Sequence, residues 1–323
     1  MQFHETIKYI RVKLYLTQKE IYQGLVSQST YSRFENGERT LPIENVEEFA
    51  NRLGLQLSDV YNIQKEQDNR MVYIIAEIKV CLNQKNDLKQ ELDIQRLEKL
   101  FQTADEYKNT SLAFLRYFYY IRQHFHQFSH KISKINTKDT DNVYSELKKR
   151  KMITEIYLQF IIDFTVHFSD EQILHISKFF DQYEFEQISS LNSRYSYQLP
   201  EALSNLADSS IDRALYAKPD VQKRLLDNAE KLLSSLFNYQ KIKYSTDNVI
   251  LYRVSKYRYD YYIADNEKAK KKAIKNLEDF LEELIYNITK SPVKHIYAEA
   301  CIPSIKNTLA GKLPLKEINY IIN

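Results

Sequence analysis

Tryptophan is absent from this 323-residue chain, and it holds only 4 glycines, 6 prolines and 2 cysteines. So few turn-formers exclude a sheet-rich protein, whose many tight turns need Gly, Pro and Asn, and point to long helices joined by short polar loops. The fold class predicted is all-α. The two cysteines, Cys81 and Cys301, are far apart and belong to no spaced pattern. They exclude a disulfide framework and fit a reducing compartment. Neither sign of charge dominates: 46 Lys and Arg against 43 Asp and Glu leave +3, which by itself demands neither nucleic acid nor membrane. No run approaches the 18 apolar residues of a membrane span, and the N-terminus lacks a charged-then-apolar leader, so a cytoplasmic protein is expected. A glycine-rich phosphate loop, a nucleophile elbow and a paired-carboxylate site are all missing, which leaves an enzyme reading without residues to carry it; no cofactor is expected.

What is present begins at Ser27. The stretch from Ser27 to Gly37 has a good N-cap at one end and a good C-terminal stop at the other, so punctuation alone fixes a short helix. Tyr31 and Phe34, three apart, can face inward, which leaves Gln28, Ser29, Ser32 and Arg33 for the outer surface. Upstream, Thr17-Gln18-Lys19-Glu20 is a capping box, and the helix it starts closes near Gly24 in a turn short enough to set the next helix at a steep angle. This is a helix-turn-helix, and its second helix has the form that lies in a major groove. A preceding helix over 3–14 and two following ones, carried by Ile43, Val46, Phe49, Ala50, Leu53 and then Leu55, Leu57, Val60, Tyr61, complete five.

Taken together, Leu16-Thr17-Gln18, Ser27-Gln28-Ser29, Ser32 to Gly37 and Leu53-Gly54-Leu55 resemble the DNA-binding domain of the phage-repressor (XRE) type, over roughly the first 65 residues. The resemblance implies that Gln28, Ser29 and Arg33 read bases. It implies that Lys13, Thr17, Gln18, Lys19, Thr30, Ser32, Asn36 and Arg39 meet the DNA backbone, with Gln18 also bracing Gln28, and that Arg11 and Glu35 form an internal salt bridge. Residues 1–66 hold eight Lys and Arg against nine Asp and Glu, a net of −1, so the head is not the basic block common among nucleic-acid binders. Affinity must come from the arrangement of Arg33, Arg39, Lys13 and Lys19, and from dimerisation on an inverted repeat of double-stranded DNA.

After Tyr61 the sequence turns polar, so the domains expected are a head over 1–63, a linker over 64–70 and a helical domain over 71–323. From Met71 onward the apolar period is 3.6, as in Val221, Leu225, Leu226, Ala229, Leu232, Leu233, Leu236, Phe237 and in Ala269, Ala273, Ile274, Leu277, Phe280, Leu281, Leu284, Ile285, Ile288. The expected helices are 71–83, 88–108, 110–128, 141–167, 170–188, 197–217, 219–239, 246–264, 267–288 and 292–310, with a short one after Pro314. Ser169 with Gln172 makes a capping box, and Pro200, Pro219 and Pro292 mark first turns. Such helices pair antiparallel and stack as a TPR-like α-solenoid with one concave face, although no clean 34-residue period is present and a globular bundle competes.

A repressor-type head followed by a helical domain of this length, in a Tyr-, Asn-, Lys- and Ile-rich chain, resembles the peptide-pheromone regulators of Gram-positive bacteria, the Rgg, PlcR and PrgX group. The string Ser32-Arg33-Phe34-Glu35 and the helix end Leu53-Gly54 are shared with it. That resemblance implies a homodimer whose helical domain binds a short signalling peptide and so changes transcription. A buried extended peptide needs its amides paired, and Arg116, Tyr120, Asn205 and Asn238 are the side chains expected to do this, with a solvent-facing place or a structural bond between helices as the other reading of each. A second reading keeps the DNA-binding head but gives the helical domain only dimerisation or a protein partner. Other clusters have simpler explanations: His124, His126 and His130 lack the companions of a metal site, most of the 26 tyrosines sit at core spacing, and Lys268, Lys270, Lys271 and Lys272 form a solvated face.

Overall fold

The structure is a computed structural model that describes residues 2–68, 91–109, 111–150, 153–181, 193–242, 245–290 and 296–312. The described residues form helices and their connections, with no strand among them. The chain divides into two compact units, Met1–Thr103 and Ala104–Asn323.

In the first unit the helices are α1 (Phe3–Lys13), α2 (Gln18–Tyr22), α3 (Gln28–Glu35), α4 (Ile43–Arg52) and α5 (Leu57–Asp68). Thr17 caps α2 through Oγ1, which accepts from the Glu20 amide at 3.3 Å, while Glu20 Oε2 accepts from the Thr17 amide at 2.7 Å. Ser27 caps α3 by accepting from the Thr30 amide at 3.2 Å. Gly37 ends α3 in the left-handed region at φ 75°, and a Cβ there would come within 2.6 Å of the His4 ring, so both backbone and space demand glycine. Ile7, Ile10, Ile21, Tyr31, Phe34, Val46, Phe49, Ala50, Leu53 and Val60 make one core, with Tyr31 edge-on to Phe49 at 4.9 Å. The expected linker is helical through Asp68 as the end of α5. The helix expected over 71–83, with Cys81, lies outside the described residues. The division between the units falls inside α6 (Glu91–Tyr107).

The second unit continues with α7 (Leu112–Phe125), α8 (Thr137–Lys148), α9 (Glu155–Phe164), α10 (Asp170–Ser177) followed by a 3-10 turn (Lys178–Phe180), α11 (Ser193–Ala214), α12 (Pro219–Ile242), α13 (Thr246–Ile263), α14 (Glu267–Lys290) and α15 (Ile296–Leu309). Three sequence expectations are corrected. The single helix expected over 141–167 is two, because an unrecognised capping box, Asn136 with Asp139, starts α8 earlier and the basic run after Leu147 ends it before Thr154 begins α9. The helix expected over 170–188 tightens to 3-10 geometry after Ser177. Pro200 lies within α11 and does not open it. Pro292 and the segment after Pro314 lie outside the described residues.

Each long helix packs on its sequence neighbours: α11 on α9, α10, α12 and α13, α13 on α14 and α15, and α14 on α15. Of the stripes that the 3.6 period marked, Leu225, Ala229, Leu232, Leu233 and Leu236 of α12 and Ala273, Leu277, Phe280 and Leu284 of α14 are buried, while Phe237 and Ile285 are exposed. This is the all-α, TPR-like stacking of helix pairs.

Buried arginines clip these helices together. Arg258 of α13 donates to Asp208 at 2.8 Å and Asp212 at 2.5 Å, both on α11, and to Thr308 Oγ1 of α15 at 3.4 Å. Arg122 of α7 donates to Asp139 of α8 at 2.7 Å and to the carbonyls of Ser133 and Lys134 at 3.1 and 2.9 Å, which fastens the loop before α8. A guanidinium can enter a core in this way because each of its three nitrogens finds an acceptor.

Removing Arg258 leaves two carboxylates, Asp208 and Asp212, without their shared counter-charge, so Arg258→Ala is expected to lower stability by ~3–5 kcal/mol in urea titrations. Burial, and after it the neighbouring Asp212, push the Asp208 carboxyl up to about 6 despite the attraction of Arg258. The folded chain therefore holds this proton more tightly than the unfolded one, and the contribution of Asp208 to stability falls as pH rises from about 4 to 7. Urea midpoints of Asp208→Asn should lack that slope, so that the wild type gains on the variant as the pH is lowered from 7 to 5.

Candidate nucleic-acid interface

The centre of the head is the carboxylate of Glu35, at the last residue of α3, whose side chain is 0% exposed. Arg11 of α1 holds it with two bonds, Nε to Oε1 at 2.6 Å and Nη2 to Oε2 at 2.9 Å, while its Nη1 reaches the Leu16 carbonyl at 2.8 Å. Gln18, the first residue of α2, donates to Oε2 at 2.7 Å. Burial pushes the Glu35 carboxyl up, but the hydrogen bonds from Arg11 and Gln18, with the adjacent Tyr31 hydroxyl, outweigh it and hold the group below its usual range. The same pairing raises Arg11, and burial beside this negative charge raises the Tyr31 phenol. One carboxylate thus fixes α1, the start of α2 and the end of α3 to one another.

With Tyr31 and Phe34 turned inward, α3 presents Gln28, Ser29 and Arg33 to solvent, and Thr30 and Ser32 stand half-buried beside them. Arg33 is 56% exposed and only loosely paired with Glu38 at 3.8 Å, so its guanidinium is free to reach outward. Arg39 lies along the same helix, within 3.4 Å of Thr30 Oγ1. Asn36, Thr17 and Lys19 are exposed, and exposed Lys13 rests over the Tyr9 ring at 5.7 Å. The expected brace from Gln18 to Gln28 is not formed, because the Gln18 amide is engaged by the buried Glu35 and not by an exposed side chain. The sequence reading missed Arg52. From the last turn of α4 its Nη1 donates to the carbonyls of Gln23 and Ile21 at 2.7 and 3.0 Å, clamping the turn between α2 and α3. A basic residue at a helix C-terminus was the available signal, and it reads equally well as a dipole partner.

In the second unit Arg116 and Tyr120 do share a face of α7, with the guanidinium 5.6 Å from the Tyr120 ring. Arg116 is engaged, however: it grips the buried Asp163 of α9 through Nε at 2.7 Å and Nη2 at 3.3 Å. Burial raises the Asp163 carboxyl, offset in part by Arg116. Tyr120 is half-buried, its ring tilted against that of His124 at 4.2 Å, and lies near enough to Glu201 of α11 to feel its charge, one helical turn before half-buried Asn205. Asn238 is exposed and accepts from Lys241 at 3.4 Å, so the buried amide expected there is corrected: the apolar stripe of α12 runs through Leu236 and Tyr239, on either side of it. His126 Nδ1 lies 3.1 Å from the Arg122 carbonyl, and no metal-holding group of His, Cys, Asp or Glu occurs among the described residues.

Glu35 gives a direct test of this architecture. Because its folded pKa is depressed, its stabilising effect is full above the ordinary carboxylate range and is lost as pH falls through it. Glu35→Gln should flatten that acid limb in thermal melts followed from pH 7 to 3. Glu35→Ala, which strands Arg11, should destabilise the head by ~3–5 kcal/mol.

Residues 7–60 match the helix-turn-helix family. No curated protein matches the chain significantly. Among solved structures, PrgX in complex with cCF10 superposes with a TM-score of 0.62 at 18% identity, covering 97% of this chain and 94% of the other. The Streptococcus dysgalactiae SHP pheromone receptor Rgg2 gives 0.64 at 9% identity, covering 96% and 99%. A bacterial peptide pheromone and receptor complex gives 0.61 at 17%, covering 96% and 99%. No described helix is long and apolar enough to cross a membrane. The chain carries an N-terminal XRE-type helix-turn-helix domain, and over nearly its whole length it has the fold of the PrgX and Rgg2 structures.

Proposed function

We propose that this protein is a cytoplasmic transcriptional regulator that binds operator DNA as a homodimer and is controlled by a short signalling peptide held in its helical domain. The observation that carries the DNA part is the row Gln28, Ser29 and Arg33, exposed together on a helix whose other face is buried and whose end is pinned through Glu35. A recognition helix must meet base edges in a fixed pose, and this one is held at both ends. Lys13, Thr17, Gln18, Lys19, Thr30, Ser32, Asn36 and Arg39 surround it as phosphate contacts. The head's charge of −1 over residues 1–66 supplies little general attraction, so two heads on an inverted repeat provide the affinity. The head over 1–63 and the helical domain after residue 70 then divide the work.

The peptide part is supported by the shared fold, since PrgX was solved with cCF10 and Rgg2 is a pheromone receptor. Tyr120 and Asn205, with Arg116 behind them, are the side chains we place at the groove; Asn238, exposed on α12, would lie at its rim. The alternative, a repressor whose helical domain only dimerises or binds a protein, predicts the same head and no peptide.

On DNA selected from genomic fragments, footprints should show two half-sites about one turn, ~34 Å, or a multiple of it apart. Arg33→Ala should cost ~1–3 kcal/mol in fluorescence anisotropy and relax preference at one or two base pairs. Lys13→Ala or Arg39→Ala should weaken all sequences alike and reduce the salt slope by about one. If Arg33→Ala keeps full sequence preference while lowering the salt slope, the roles are reversed. Calorimetry with short apolar peptides encoded beside the gene should give heat of binding that Asn205→Ala weakens; no heat from any of them leaves the peptide-free alternative.

A further inference from the structure

Helix α14 (Glu267–Lys290) carries its charges in two blocks. Lys268, Lys270, Lys271, Lys272 and Lys275 fill its first half, and Glu278, Asp279, Glu282 and Glu283 its second. Glu267 in its first turn and Lys290 in its last suit the helix dipole, and where the two blocks meet Lys275 and Asp279 stand at i, i+4.

The buried side of α14 is Ala273, Leu277, Phe280 and Leu284, packed on α13 and α15. Lys268, Lys272, Lys275, Asp279, Glu282 and Tyr286 are exposed; at 100° per residue they form one stripe on the opposite side. Among the described residues no ion pair engages Lys272, Lys275, Asp279 or Glu282, whereas Glu283, off the stripe, is already paired with Arg253.

Their spacing is symmetric about Leu277. Lys275 and Asp279 are equidistant from it, as are Lys272 and Glu282, and then Lys268 and Tyr286. A helix with this property is complementary to itself when turned end for end, which is the condition for a twofold, isologous contact. We propose that the outer face of α14 docks antiparallel on the same face of a second copy of this chain, about a twofold axis opposite Leu277. Lys272 and Lys275 of each copy then meet Glu282 and Asp279 of the other, so two pairings are made four times in all. At the ends the ring of Tyr286, 63% exposed, receives Lys268. This inference rests on the homodimer in the proposed function and assigns it a surface.

The test is sedimentation velocity on the full chain. Lys272→Glu with Lys275→Glu makes the stripe acidic, and Asp279→Lys with Glu282→Lys makes it basic. Each double variant alone should dimerise at least ~10-fold more weakly than wild type, because like charges then face each other. Mixed in equal amounts, they should recover a heterodimer, and the variant carrying all four reversals should dimerise as wild type does. Recovery on mixing cannot come from a chain that fails to fold. Double variants that dimerise as wild type, or weakened variants that do not recover on mixing, overturn the assignment of α14 while the dimer itself stands. A wild type that stays monomeric with and without DNA overturns the dimer as well.

Discussion

A carboxylate removed from water must be met by donors or it unfolds what surrounds it, and the head of this protein is built around one such group. Glu35 takes two bonds from Arg11 and one from Gln18, so three helices share a single buried charge. Hydrophobic contacts alone would let α3 roll or slide on the Phe49 and Tyr31 rings. The carboxylate removes that freedom, and Arg52 removes what remains in the turn before α3. The polar row on the outside is therefore displayed from a rigid base although its own side chains are loosely held.

The second unit applies the same principle on a larger scale. Its helices bury ordinary apolar stripes, which fix that they pack but leave register and angle soft. Arg258, Arg122 and Arg116 supply the specificity. Each reaches across to a carboxylate on another helix, and Arg122 also secures a loop through its carbonyls. With few glycines and prolines to shape the turns, these clips decide where one helix stops relative to the next.

The sequence made the head legible almost to the residue, because its signals are local: Thr17, Ser27 and Gly37 punctuate helices whatever lies around them, and Tyr31 and Phe34 can only face one way. The long helices of the second unit were legible from period alone. What escaped depends on distance in space. The early start of α8 rests on an Asn136 cap weaker as a signal than the apolar run after it, and Pro200 was read as a start because an isolated proline resembles one. Gln18 was assigned to Gln28, since nothing local reveals that Glu35 faces it. Asn238 was judged by its helix and not by its face.

The grip of Arg116 on Asp163 carries a consequence for any ligand of the helical domain. Asp163 is buried, its carboxyl raised by desolvation, and Arg116 is the group that draws it back down. A ligand that draws the guanidinium to its own oxygens leaves that carboxylate without a counter-charge, and the cheapest way to neutralise it is a proton. Recruitment of Arg116 would then be recorded in the solvent: heats of association would depend on the ionisation enthalpy of the buffer, and affinity would rise as pH falls.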